Sequence, residues 1–361
     1  MKVARLYSFN DIRIEDMPVP DIGSGDALVR VRACGICSGD VMPWYIEKKA
    51  PLVLGHEAAG EIVKLGKELE VEKIRSSEDK RINLSTSQPL NFFKRGDRVF
   101  FHHHAPCFTC KYCKRGDYVQ CNTWRESRVI PGGISEYVLI PKINLQGDTL
   151  LLPERVSFED ATLIEPVACV VKGLKRAKVK QGDMVLVIGL GVMGQLHIML
   201  AKKHGAGRII GVDRVPYRLN CAREFGADTV IDVSSVGLRD AVTEATSGDM
   251  ADIVVVGPGD VEVMSQGIDC AGRGGRVLFF TPAKPDDILQ IRPNEIYFKD
   301  INIITSYSCG PDDTKEALNF IADGVIDASR LITHRFPLEK TAEAFHLTAQ
   351  AKDSLKVVVV I

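Results

Sequence analysis

The sequence predicts an α/β protein in which a mainly β amino-terminal third precedes a doubly wound parallel sheet. Three observations carry this expectation. Short alternating strands with glycines at their bends fill the chain up to about Leu152. Beyond that point apolar strands are separated by segments of helical period. A glycine-rich turn also lies between one of those strands and the helix after it, the usual opening of a parallel α/β unit.

Each element has its own reason. "DALVRVRACG" alternates Val29, Val31 and Ala33 with charged residues, as a strand with one buried face does. "VLGHEAAGEIVKLG" reads as a second short strand region. Residues 67–99 are polar as far as Leu90 and read as a surface excursion, after which "GDRVFF" resumes a buried strand. Ser157 suits the N-cap of a helix, and Pro166 the first position of a second helix running through "VACVVKGLKRAKV". "MVLVIGLGVMG", "RIIGVD", "DTVID", "ADIVVVG" and "GGRVLFF" are apolar enough to be strands covered on both faces. The tail reads helix, short strand and helix before "SLKVVVVI" closes as a strand.

With 361 residues the chain has material for two domains and a substantial core. Hydrophobic residues make up 45%, charged residues 26%, and the net charge is −1, so no nucleic-acid partner is implied. "KYCKRG" (111–116) reads as solvated surface rather than a basic patch. The first twenty residues alternate and carry charges, without the apolar stretch of an export signal, and no run approaches a membrane span. A cytoplasmic location is the expectation.

Ten cysteines in such a chain point to metal rather than disulfides, because four of them crowd into fifteen residues. Cys107, Cys110, Cys113 and Cys121 form a C-x2-C-x2-C-x7-C array. Short spacers let one loop wrap a zinc ion with four thiolates and leave no open position, so this lobe can fold but cannot bind substrate. The ferredoxin-type iron–sulfur pattern places its fourth cysteine three residues on, followed by proline, and does not match. A second site is offered by Cys37 with His56 and Glu57 of "GHEAAG". A catalytic zinc keeps about three protein ligands and an exchangeable place. Cys34 and Cys37 could alternatively form a redox pair, though no thioredoxin-like strand–helix setting surrounds them.

The turn "GLGVMG" supplies Gly189, Gly191 and Gly194, with Val192 and Met193 between them. It follows a strand and enters a helix, where backbone can approach a pyrophosphate held at the helix N-terminus. Asp213 ends the next strand, 19 residues after Gly194. A carboxylate there accepts from ribose hydroxyls and repels a 2′-phosphate, which favours NAD over NADP; Arg214 beside it weakens that preference.

Together the four-cysteine lobe, the cysteine/histidine/glutamate set and the dinucleotide turn resemble the zinc-containing medium-chain alcohol dehydrogenases, in the sorbitol/threonine dehydrogenase-like branch. "CGIC", "LGHEAAGEIVKLG", "GDRV", "PGGISEY", "LIEPVACV", "GVDR" and "LITHRFPLEKTAEAF" carry the likeness along nearly the whole chain. The resemblance implies a Rossmann NAD-binding domain, 153–299, inserted into a GroES-like catalytic domain made of 1–152 with 300–361. The structural zinc lobe would span about 102–125. It implies two zinc ions per chain, a homodimer or homotetramer, and a small-molecule substrate. Cys37, His56 and Glu57 would surround the catalytic zinc, with Glu165 of "IEP" ligating it or holding its water. Met193, Arg218, Phe280, Thr281, Pro282, Thr305, Ser306 and Tyr307 would touch the cofactor.

Several positions depart from that family. Relatives have a hydroxyl residue two positions after the zinc cysteine and a histidine five after it, where this chain has Gly39 and Met42, with Ser38 displaced by one. Lys172 stands where a histidine is common, and Ser306 where sorbitol dehydrogenases have arginine. The insertion after Gly66 is long. The implied reaction is hydride transfer between NAD and a secondary alcohol, in the polyol or sugar-derived class. Its proton would leave through Ser38, Lys172, Glu165 by way of water, or one of His102 to His104. Lys172 also reads as a solvent-exposed helix residue, and the three histidines as surface. Two alternatives accompany this reading: a zinc-dependent reductase of an imine or conjugated carbonyl, and a non-catalytic zinc- and NAD-binding sensor or scaffold.

Overall fold

The structure is a computed structural model and describes residues 1–71 and 93–361. Most of the polar excursion expected over 67–99 therefore lies outside the described residues. The chain divides into two compact units. The first comprises 1–168, 309–350 and 356–361, and the second 169–308 and 351–355. The joints thus fall after Ala168 and Ser308, where the family resemblance implied 152 and 299. The helix Phe158–Ala161 packs on strands of the first unit, so the fold carries the chain past the change in hydrophobic period.

In the first unit a seven-stranded sheet runs in the order Ile332–Pro337, Lys356–Val360, Ala27–Gly35, Glu57–Leu65, Arg98–His102 and Thr149–Leu151, with Tyr137–Ile140 also pairing Ala27–Gly35. The strand from the chain's end pairs antiparallel with Ala27–Gly35, Val359 opposite Cys34. Val29, Val31, Ile62, Val99, Val138, Val357 and Val359 bury their alternating side chains in one cluster. Each such burial contributes roughly 1.5–3 kcal/mol. A smaller sheet is ordered Asp11–Asp16, Lys2–Ser8, Leu52–Val53.

The second unit holds a six-stranded parallel sheet ordered Thr229–Asp232, Arg208–Asp213, Met184–Ile188, Ala251–Val256, Ala271–Phe279, Asn302–Thr305. Read from its first strand this is the 3-2-1-4-5-6 order of the dinucleotide fold. Val185, Leu186 and Val187 are wholly buried, as strands covered on both faces must be. The sixth strand, Asn302–Thr305, has mostly exposed side chains and carries no apolar run that would mark it in the sequence.

Ser157 caps its helix with a reciprocal capping box to Asp160. The next helix begins at Ile164, two residues before Pro166. Proline is tolerated there because the first turn's N–H groups have no intrahelical partner. That earlier start brings Glu165 into the helix.

Candidate active site

The cofactor turn is built as the glycines require. Gly189 has φ +87°, and a Cβ on Gly194 would overlap the Gly189 carbonyl. The helix Val192–Lys203 begins at Gly191 with no side-chain cap, leaving its first N–H groups open to an anion. Asp213 stands at the end of the neighbouring strand. Its Oδ2 accepts from the Leu190 N–H at 2.6 Å, and its Oδ1 from Arg214 and Val215 at 2.7 and 2.9 Å. Arg218 Nη1 lies 3.9 Å from the carboxylate and Arg214 is exposed. Phe280, Thr281 and Pro282 follow one strand and Thr305 to Tyr307 end another, both at the carboxyl edge that holds the glycine turn. Ser306 Oγ is buried with no hydrogen-bond partner among the described residues. These features fit a dinucleotide.

Sequence reasoning left Lys172 either on the proton path or on a solvent-exposed helix face. It is half-buried instead, its Nζ donating to the Tyr307 carbonyl at 2.6 Å, because the helix packs beside the end of the last strand. Met193 offers its carbonyl to His197 Nδ1 at 2.8 Å, and the His197 ring meets Phe280 edge-on at 4.6 Å between centroids. Burial pushes the His197 imidazole down to about 4, so it sits in the fold uncharged. An unfolded histidine takes its proton near pH 6.5, so between pH 6.5 and 4 the unfolded chain binds the extra proton and the fold loses stability as pH falls. About 3 kcal/mol should be lost at pH 4 through this group. Amide protection factors across Val192–Lys203 should fall accordingly, and His197→Gln should remove that share of the acid sensitivity.

In the first unit Cys107, Cys110, Cys113 and Cys121 converge, with Sγ···Sγ separations of 3.5 Å (110–113), 3.6 Å (107–121) and 3.9 Å (107–113). Tetrahedral zinc thiolates at 2.3 Å stand about 3.8 Å apart, so the array fits a closed zinc site. Trp124 packs beneath it.

Cys37, His56 and Glu57 form a second group whose donor atoms lie within 4.8 Å of one another. Cys34 points elsewhere: it is wholly buried, and burial pushes its thiol up to about 12. Asp40 Oδ2 lies 3.2 Å from His56 Nδ1, which leaves Nε2 for a metal in the usual carboxylate-backed arrangement. Burial alone would depress the His56 pKa, but Asp40 and Cys37 outweigh it and hold the ring well above its ordinary value. Burial likewise raises the Cys37 thiol. Zinc held here would bind the Cys37 thiolate and the neutral His56 ring, releasing those protons. Glu57 is buried and paired with the equally buried Lys356, whose Nζ also donates to the Ile36 carbonyl at 3.0 Å. A Cβ on Gly35 would strike both members of the pair. Gly39 donates its N–H to Cys37 Sγ at 3.3 Å, and Ser38 is exposed.

Glu165 groups with His102 and Cys309 rather than with Cys37. The expected surface run of histidines is instead interior. His102 is 0% exposed, and His104 is buried against Trp124. The reason is that they continue the buried strand Arg98–His102 into the zinc lobe. Asp40, Lys356 and Cys309 had no role in the sequence reading, and His102 entered it only as a proton-path candidate or a surface residue. The visible signals were a lysine in an otherwise apolar closing strand and three histidines ending another.

Residues 23–154 match the alcohol dehydrogenase GroES-like domain, and residues 192–323 the zinc-binding dehydrogenase domain. Sorbitol dehydrogenase of Bacillus subtilis (strain 168) is 30% identical, over 99% of this chain and 97% of that protein. The chain belongs to the zinc-containing alcohol dehydrogenase family. This zinc-containing alcohol dehydrogenase is also similar in structure to a zinc-binding dehydrogenase of Sinorhizobium meliloti 1021 bound to NADP. That comparison has a TM-score of 0.83 and 26% identity, and covers 100% of this chain and 99% of the other. For 2R,3R-butanediol dehydrogenase from Bacillus subtilis the TM-score is 0.82 at 25% identity, over 100% and 99% of the two chains. As a member of this family the chain is an oxidoreductase whose cofactors are zinc and a nicotinamide dinucleotide. Among its described residues no helix is long and apolar enough to cross a membrane.

Proposed function

We propose that this dehydrogenase interconverts a secondary alcohol and its ketone with NAD(H), and that its substrates are polyols or sugar-derived alcohols. The observation that carries the reading is the group of Cys37, His56 and Glu57, in a chain related to a sorbitol dehydrogenase and a butanediol dehydrogenase. Zinc bound there supplies Lewis acidity toward a hydroxyl oxygen, and NAD supplies the hydride acceptor. The protein's own residues prepare the place. Asp40 orients His56, the Gly39 N–H draws charge from Cys37 Sγ, and Lys356 holds Glu57 in position. Gly39 and Met42 cannot relay the hydroxyl proton. Ser38, exposed beside Cys37, is one side chain that could take it. The His103 ring lies 4.9 Å from that of His56, but burial and the neighbouring His102 hold its pKa well below the usual imidazole value. Two zinc ions, a homodimer or homotetramer and a cytoplasmic location belong to the same reading.

Asp213 supports NAD, because a 2′-phosphate would meet its carboxylate. Asp213→Ser should shrink the preference for NAD over NADP in kcat/KM by about 10- to 100-fold, the worth of losing one charged contact. The function itself is tested by an NAD-linked panel of polyols, sugars, hydroxy acids and amino alcohols. Oxidation of a polyol is the expected result. The missing proton relay favours one second reading, reduction of imines or conjugated carbonyls, which need not return a proton by that route. Turnover confined to imines and enones with NADH would replace the alcohol reading, and binding of zinc and NAD with no turnover would leave a sensor or scaffold.

A further inference from the structure

We infer a third metal site in the first unit, a buried one for a zinc-class divalent cation, formed by His102, Glu165 and Cys309. It is independent of the alcohol-oxidation reading. The three donors come from separate parts of the chain: the end of the strand Arg98–His102, the first turn of the helix Ile164–Ala177, and the segment leading into the helix Pro311–Ala322. Their donor atoms lie within 4.8 Å of one another. All three residues are buried, His102 and Cys309 completely and Glu165 to 6% exposure.

Geometry and chemistry agree. Cys309 Sγ stands 3.8 Å from His102 Nε2. A tetrahedral zinc with its sulfur at 2.3 Å and its imidazole nitrogen at about 2.0 Å separates those two atoms by about 3.5 Å, so a small closure of the pair accommodates the ion. The nitrogen facing away, Nδ1, lies 3.0 Å from Asp148 Oδ2. Asp148 in turn accepts from Thr314 Oγ1 at 2.5 Å, and Asn144 Nδ2 donates to the His102 carbonyl at 3.2 Å. A carboxylate behind a ligating imidazole, itself held by a hydroxyl, is the support that fixes tautomer and ring orientation at metal sites. His56 and Asp40 show the same pairing at the other mixed-donor group. With every donor buried, this site stabilises the packing of these three segments.

Metal content of the full-length protein, saturated with Zn²⁺ and freed of loose ions by a weak chelator, tests the assignment. Three equivalents per chain are expected in the wild type. Cys309→Ser and His102→Asn should each leave two, Cys37→Ser should leave two, and Cys37→Ser with Cys309→Ser should leave one. A wild-type value of two overturns the third site, and that measurement holds even if the variants do not fold. A value of three that Cys309→Ser and His102→Asn leave unchanged overturns it as well, since the extra ion then sits elsewhere. Absence of alcohol turnover with a count of three refutes only the proposed reaction.

Discussion

Cys37→Ser loses at least about 10³-fold in kcat/KM for the alcohol substrate, equivalent to about 4 kcal/mol of transition-state stabilisation, and also loses one zinc per chain. A serine hydroxyl is a hard, protonated donor where a borderline-soft ion needs a thiolate. NAD affinity should change by no more than about threefold, because the glycine turn and Asp213 belong to the other unit. Cys34→Ala is the matching control. Its thiol is buried three residues away, outside the donor group, so zinc content should stay at the wild-type level. Equal zinc loss in both variants would show that the defect is structural and would remove Cys37 from the proposed chemistry.

Lys356→Met should destabilise the first unit by about 3–5 kcal/mol at pH 8, because it strands the Glu57 carboxylate in the interior. Both tryptophans, Trp44 and Trp124, lie in that unit, so urea unfolding followed by tryptophan fluorescence reports on it directly. The sign of the pH dependence is determined. Burial raises the Glu57 pKa even with Lys356 attached, and without the lysine that rise is larger. A carboxyl whose folded pKa lies above its unfolded value favours the fold at low pH and costs stability as pH climbs above about 4.3. The variant's deficit should therefore shrink toward pH 5. Glu57→Gln combined with Lys356→Met should recover most of the loss, since removing both charges leaves none unpaired. A double variant no more stable than Lys356→Met would show that lysine packing, not charge, is what matters.

Much of the molecule was legible in one dimension. The central strands Met184–Ile188, Arg208–Asp213 and Ala251–Val256 declared themselves because a strand buried on both faces must be largely apolar, and the glycine turn because only glycine fits so close to the backbone of its own loop. The four-cysteine lobe was equally plain, since its ligands are close in sequence and one loop can wrap the ion. Ser157 marked its helix start by local hydrogen-bond chemistry, which depends on three following residues and nothing more distant. The exposed strand Asn302–Thr305 lacked such a mark, and Pro166 misplaced its helix start by two residues because the whole first turn, not one position, lacks N–H partners.

The sequence by itself determined the order of strands and helices, the closed zinc lobe and the dinucleotide turn, all features set by neighbours along the chain. Only the tertiary structure decided that Lys356 reaches Glu57 across 299 positions, that Asp40 backs His56, and that Glu165 sits with His102 and Cys309. The physical reason is that a buried charge or metal donor is satisfied by whatever the fold brings within a few ångströms. No periodicity along the chain encodes that distance.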